Sequence, residues 1–247
     1  MHEYLVFRLY GMMASFGDIA VGEYRPTYDH PSRSAVFGLL AAALGIRRDE
    51  EERLAALAAS YEMAVRVDAP GELLRDYHTA QVPPAGKGRK KFSFATRREE
   101  LAMPREALST ILSTRDYRCD AVYSVCLRAK GRQPPYSLEE LKEALNKPYF
   151  SLYLGRKSCP LGIPVHAQVV SAETIAGAFQ SAQFPDDGLL NELVRPGDVR
   201  VFWEGDEDAG IEAEHTVLRY DDPISRKRWQ FRSRLEKYGR IQTSGGT

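Results

Sequence analysis

Leu5, Phe7 and Leu9 alternate with Val6 and Arg8 over residues 3–10. That two-residue period gives one buried face only if the chain is extended, here with a second face that is partly apolar. Residues 61–68 repeat the pattern with Met63, Val65 and Val67 on one face, and residues 120–128 with Tyr123, Val125 and Leu127. A further strand is expected at 165–170. Helical segments lie between these strands. Pro31 precedes and Gly45 follows an apolar run at 32–44, whose first free N–H groups Ser32 or Ser34 can cap. Glu50, Glu51 and Glu52 put carboxylates into the first turn of a second helix, where the helix dipole favours them. Ser137 and Glu140 form a capping box at the start of a third, at 137–146.

The order strand, helix, strand, arm, strand, helix, strand predicts an α+β chain with a ferredoxin-like (RRM-type) domain carrying a large insertion. The insertion contains the basic run 83–98, broken by Pro and Gly and interleaved with Phe92 and Phe94, which suits an extended hairpin or mobile arm. Beyond residue 171 a short helix near 174–179, strands near 199–203 and 215–220, and a basic tail are expected. Residues 11–31 form a long, aromatic-rich loop, and loops of that length inside a domain are more often functional than incidental.

No stretch approaches the roughly 18 apolar residues a membrane span needs. No basic segment precedes the first apolar run, so no secretory signal is expected and the expected location is the cytoplasm. Cys119, Cys126 and Cys159 are odd in number and lack CxxC spacing, which suggests neither a disulfide framework nor a metal site. No cofactor is expected.

The chain carries 34 Lys+Arg and 34 Asp+Glu. A net charge of zero argues against sequence-blind coating of nucleic acid. The sum conceals blocks, however: residues 186–222 carry −9, and residues 79–130 and 223–247 carry +6 each. Basic blocks flanking an acidic one fit a nucleic-acid face beside an acidic docking face, or charges that pair with one another.

Four segments carry candidate chemistry. In YLGRKSCPLG, residues 153–162, the glycines permit close backbone approach while Arg156, Lys157 and Ser158 supply donors, a combination suited to cradling phosphates or a sharply bent RNA strand. Its spacing is not that of a nucleoside-triphosphate loop. A tight turn with incidental charge is the alternative. In DHPSRSAVFG, residues 29–38, Arg33 sits among serines at a helix start, an arrangement that attracts anions. LRDYHT, residues 74–79, offers Tyr77 and His78 for stacking or acid–base work. The arm supplies Lys87, Arg89, Lys90, Lys91, Arg97 and Arg98 beside its phenylalanines, as single-stranded nucleic-acid surfaces do.

Together with residues 4–18, 25–50, 117–127 and 147–165, these segments resemble the type I-E CRISPR Cascade branch of the Cas-five family of repeat-associated RNA-binding proteins. The resemblance runs in family order over about two-thirds of the chain. GIRRD, which follows the first helix, and YLGRKSCPL are its specific parts. It implies an RRM-like palm at 1–78 and 119–170, a thumb insertion at 79–118 and a C-terminal β-rich extension at 171–247. It further implies that the palm grips the 5′ handle of the CRISPR RNA and that the subunit caps the backbone made by CasC, lying near the large subunit CasA. Target DNA is met only indirectly, through pairing with the guide.

The positions that match the family's motifs are Arg33, Ser34, Arg47, Arg48, Tyr77, His78, Tyr153, Gly155, Arg156 and Lys157, to which the arm adds Arg97 and Arg98. No catalytic residue is expected. The enzymatic alternative is a metal-independent endoribonuclease that cuts repeat RNA, which needs an acid and a base converging on a 2′-hydroxyl. A pure protein scaffold is a third reading.

Overall fold

The structure is a computed structural model that describes every residue except 18, 19, 21, 85–92, 206, 207 and 244–247. The chain opens with β1 (His2–Tyr10) and two short strands, β2 (Met13–Ala14) and β3 (Tyr24–Arg25). Helices α1 (Arg33–Ala43) and α2 (Glu51–Ala59) lead into β4 (Tyr61–Ala69). A long hairpin follows, β5 (Glu72–Val82) and β6 (Ser109–Cys119), with the short helix α3 (Arg97–Glu100) between its strands. Next come β7 (Val122–Ala129), α4 (Leu138–Asn146), β8 (Gln168–Ala172), α5 (Ile175–Ser181) and α6 (Gly188–Leu193). Strands β9 (Gly197–Trp203), β10 (His215–Ser225) and β11 (Gln230–Thr243) complete the fold.

Seven strands form one sheet in the order β10-β11-β9-β4-β7-β1-β8, with all neighbours antiparallel. Strand β1 lies inside it, Phe7 opposite Val125 on one side and Leu5 opposite Val169 on the other. The alternation read in the sequence sorts the two faces. Leu5, Phe7 and Leu9 pack with Phe37 and Leu40 of α1, Leu57 of α2 and Leu141 of α4. Tyr4 and Val6 pack on the opposite face with Ala178 and Phe179 of α5. Each of these large side chains contributes roughly 1.5–3 kcal/mol by leaving water, so the helical face of the sheet dominates the core.

The helix caps follow the sequence closely. Ser32 accepts from the Ala35 amide and opens α1, while Gly45 lies just beyond the helix at φ +74°. At α4 both halves of the Ser137–Glu140 capping box are present. No helix among the described residues is long and apolar enough to cross a membrane.

Other elements depart from the sequence expectation. The hairpin is paired from Glu72↔Cys119 to Val82↔Ser109, so its strands begin before the basic arm does. The run expected as a strand at 165–170 pairs mainly over Gln168–Ala172, although the Val165 carbonyl still accepts from the Arg8 amide at 2.8 Å. Helix α6, capped by Asp187, and the whole of β11 were not anticipated. Through β9, paired to β4 with Ala64 opposite Trp203, the C-terminal strands continue the main sheet.

Candidate nucleic-acid interface

The glycine-rich segment folds into a compact loop that is anchored from below. Leu154 and Cys159 are fully buried and joined by a 2.7 Å bond from the Leu154 amide to the Cys159 carbonyl. Tyr153 bridges to Pro160. The Ser15 amide donates to the Leu154 carbonyl at 3.0 Å, which holds the loop against the segment after β2. Gly155 sits at φ +84°, and a Cβ there would lie 1.9 Å from the Ser15 carbonyl oxygen, so no other residue fits without moving the chain. Lys157 and Ser158 are exposed at the tip. Arg156 stacks its guanidinium 4.7 Å from the Tyr117 ring centroid, and its Nη1 is shielded from solvent with no hydrogen-bond partner among the described residues.

The start of α1 corrects the expectation placed on Arg33. The motif attracts anions as its chemistry predicts, but the chain supplies them itself. The Arg33 amide donates to Asp221 at 2.7 Å and its Nε to Asp222 at 2.9 Å, while Nη1 pairs with Glu204 and Nη2 donates to the Ala58 and Tyr61 carbonyls. With 3% of its surface exposed, Arg33 faces the core and has no donor to offer RNA. The network continues inward. Arg234 binds Asp221 and Glu236, Arg219 donates to Glu236 at 2.8 Å, and His30 lies between Asp29 and Glu236 while stacking on Phe202. Part of the −9 block thus pairs with the basic block that follows it and fastens β10 and β11 to α1.

Ser34 behaves differently. With Ser32 and Ala35 it lines a cleft of about 430 Å³ that Gly155 and Arg156 line as well. The structure therefore brings together two segments 120 residues apart that the sequence singled out separately. Arg48, exposed beyond α1, lies 5.6 Å from the Trp229 ring centroid. Arg47 is exposed and gives its amide to Glu50.

The remaining candidates sit on or beside the long hairpin. Tyr77 and His78 are consecutive on β5 and so point to opposite faces, Tyr77 exposed and His78 half-buried. Arg97 and Arg98 are exposed on α3, where Arg97 pairs with Glu100 and donates to the Gln81 carbonyl. Residues 85–92, which include Lys87, Arg89, Lys90, Lys91 and Phe92, lie outside the described residues. At the hairpin's base, hydrogen bonds from Arg75 first of all hold the Asp116 carboxyl below its ordinary range, and Tyr24 adds another. No group of three or more His, Cys, Asp or Glu among the described residues is arranged to hold a metal.

Sequence reasoning missed the C-terminal contribution. Tyr220, Arg226, Trp229 and Phe231, from the β10–β11 hairpin, line the same cleft. Their composition is basic and aromatic, the same signal that marked the arm, but Tyr220 was read only as the end of a strand and the other three fell within a stretch read as a tail.

Comparisons with known proteins place nearly the whole chain in a family. Residues 4–235 match the family described as CRISPR-associated protein (Cas_Cas5). The chain is 34% identical over 199 residues to the "CRISPR system Cascade subunit CasD" of Escherichia coli (strain K12), covering 81% of each protein. Among solved structures it is similar to a chain of a "CRISPR RNA-guided surveillance complex" at TM-score 0.61 and 25% identity, covering 97% of this chain and 90% of that one. A second, titled "Crystal structure of Cas protein", gives TM-score 0.55 and 27% identity over 97% and 95% of the two chains. A match spanning nearly the whole sheet, the hairpin and the glycine-rich loop leaves one assignment: the chain belongs to the Cas5 family of CRISPR-associated proteins.

Proposed function

We propose that this chain is a non-catalytic, RNA-binding subunit of a type I-E Cascade complex, gripping the 5′ handle of the CRISPR RNA and capping the backbone formed by CasC, near CasA. The observation that carries the reading is the gathering of Ser34, Gly155 and Arg156 in one cleft, next in sequence to the exposed Lys157. A backbone that admits close approach, and cations without carboxylate partners among the described residues, suit a bent single strand, whose phosphates are held while its bases stay open to rings and amides. Tyr153, Arg47 and Arg48 would flank that path.

The palm is read as RRM-type. The sheet order β4-β7-β1-β8, with α1 and α2 between β1 and β4 and α4 between β7 and β8, supports it. The β5–β6 hairpin is read as the thumb, with Tyr77, His78, Arg97 and Arg98 available along it. The endoribonuclease alternative draws on Tyr77, His78 and an arm lysine; it is disfavoured because, among the described residues, Tyr77 and His78 diverge across β5 rather than converging on one group.

The test is the affinity of fluorescently labelled handle RNA for wild type and for Arg156→Ala. Loss of a charge-assisted contact should weaken binding by about 1.5–3 kcal/mol. Unchanged affinity would remove Arg156, and with it the cleft, from the RNA path.

A further inference from the structure

The turn between β10 and β11, residues 226–229, reads Arg-Lys-Arg-Trp, and its Arg226 and Trp229 line the cleft described above. Trp229 ends the turn at φ +56°; the residue is 59% exposed and its ring lies edge-on to Phe231 at 5.8 Å between centroids. An indole held this way by a neighbouring ring leaves a flat aromatic surface to solvent. Two cations lie against it: the guanidinium carbon of Arg48 is 5.6 Å, and that of Arg226 is 5.9 Å, from the ring centroid.

The arginines here differ from those of the inner network. Arg33, Arg219 and Arg234 each bind a carboxylate. Arg25, Arg48, Arg156 and Arg226 make no ion pair among the described residues. Arg226 gives Nη2 to the Ser34 carbonyl, and Arg156 gives one nitrogen to the Arg25 carbonyl at 3.4 Å. Burial, and after it the charge of Arg48, push the Arg226 pKa below its ordinary value. Like charges are thus gathered in a concave site whose lining carboxylate, Asp221, is already taken up by the Arg33 amide and by Arg234.

We propose that the turn and the cleft beneath it form a pocket for one unpaired ribonucleotide of the bound RNA, its base lying against Trp229 and its phosphate among Arg226, Arg156 and Arg25. This rests on the RNA-binding reading above and adds to it a place where a single base leaves the strand. A phosphate alone would engage the arginines but leave Trp229, Phe231 and Tyr220 without a role. An acidic peptide would likewise not need stacked rings. Cations together with exposed rings are the composition that binds a nucleotide. The volume, about 430 Å³, falls at the lower end of the roughly 300–1,000 Å³ usual for small-ligand sites.

The chain has two tryptophans, and Trp203 is buried with 3% exposure, so a ligand-induced change in indole emission reports Trp229. The experiment titrates the full chain with handle RNA while following both emission and the anisotropy of the labelled RNA. Wild type should lose emission as RNA binds, and Trp229→Phe should abolish that change while keeping most of the affinity. Trp229→Ala should bind about tenfold more weakly, a loss within the ~1–3 kcal/mol of one base–aromatic stack. If RNA binds with unchanged emission and W229A matches wild type, the pocket is overturned while the RNA-binding reading stands. If no RNA binds to wild type, both fall. A glutamate-rich peptide that reproduces the emission change would assign the site to a protein partner and also overturn the proposal.

Discussion

The Arg33 backbone amide donates to the Asp221 carboxylate at 2.7 Å, a bond between residues 188 apart in sequence. It seats the C-terminal hairpin on the first turn of α1, where the helix dipole favours an anion. Because Asp222 and Glu204 hold the Arg33 side chain as well, one buried residue ties α1 both to the hairpin that carries Arg226 and Trp229 and to the end of β9.

Arg33→Ala should therefore act on stability before it acts on RNA. Removing one partner of a buried ion pair leaves uncompensated charge and typically costs about 3–5 kcal/mol. Arg33→Lys should recover little, since a point charge cannot replace the fork that reaches Asp222, Glu204 and two carbonyls at once. Urea unfolding measures both variants. A folded Arg33→Ala protein of wild-type stability would refute the latch.

Gly155→Ala tests the loop itself. The left-handed φ and the Ser15 carbonyl, 1.9 Å from the new Cβ, force the loop off its anchor. Strain of this kind costs about 1–3 kcal/mol, and RNA affinity should fall with it. Gly131→Ala, where an added Cβ meets nothing within 4 Å, is the matched control and should be neutral in both thermal melting and RNA binding.

The inner network should also make stability depend on pH. Burial raises the Glu236 carboxyl, but His30, Arg234 and Arg219 outweigh it and hold the group at about 2, below its ordinary 4.5. A depressed carboxylate stabilises the fold fully above pH 4.5, and that contribution is lost as pH falls towards 2. His30 runs the other way. Burial favours its neutral ring, yet the hydrogen bonds its ring donates to Asp29 and Glu236 raise its pKa above 6.5. Its contribution is present below pH 6.5 and lost as pH rises through the folded value. Stability measured by urea unfolding should peak between these limits, and Glu236→Gln should flatten both limbs. A variant profile parallel to wild type would contradict the assignment.

Repeat RNA incubated with the chain in EDTA should remain intact, as a binding subunit in which Tyr77 and His78 face opposite sides of β5 predicts. A single cut at the handle boundary, detected on a sequencing gel, would restore the endoribonuclease reading.

Much of this was legible wherever burial is apolar. Strands β1, β4 and β7 announce themselves because Leu5, Phe7, Val65 and Val125 mark an inward face at period two. Strand β11 does not, because Arg234 and Glu236 are what it turns inward, so its alternation is of charge and reads as a solvated tail. The same blindness hid Arg226 and Trp229, whose place over the cleft follows from that strand's pairing. Gly155 and Arg156 were recognisable from residue type alone. Arg33 was recognised as an anion site, but its anion lies 188 residues away, a distance over which local pattern carries no information.

The central claim, specific recognition of the handle by a near-neutral subunit, is tested most directly by comparing handle RNA with scrambled RNA of equal length and composition across a salt series. Handle RNA should bind more tightly at every salt concentration, with log affinity falling linearly in log salt. Arg156→Ala should make that slope shallower by about 0.7, the value for one lost phosphate contact on a single strand. Equal affinity for the two RNAs, with an unchanged slope in the variant, would contradict the account.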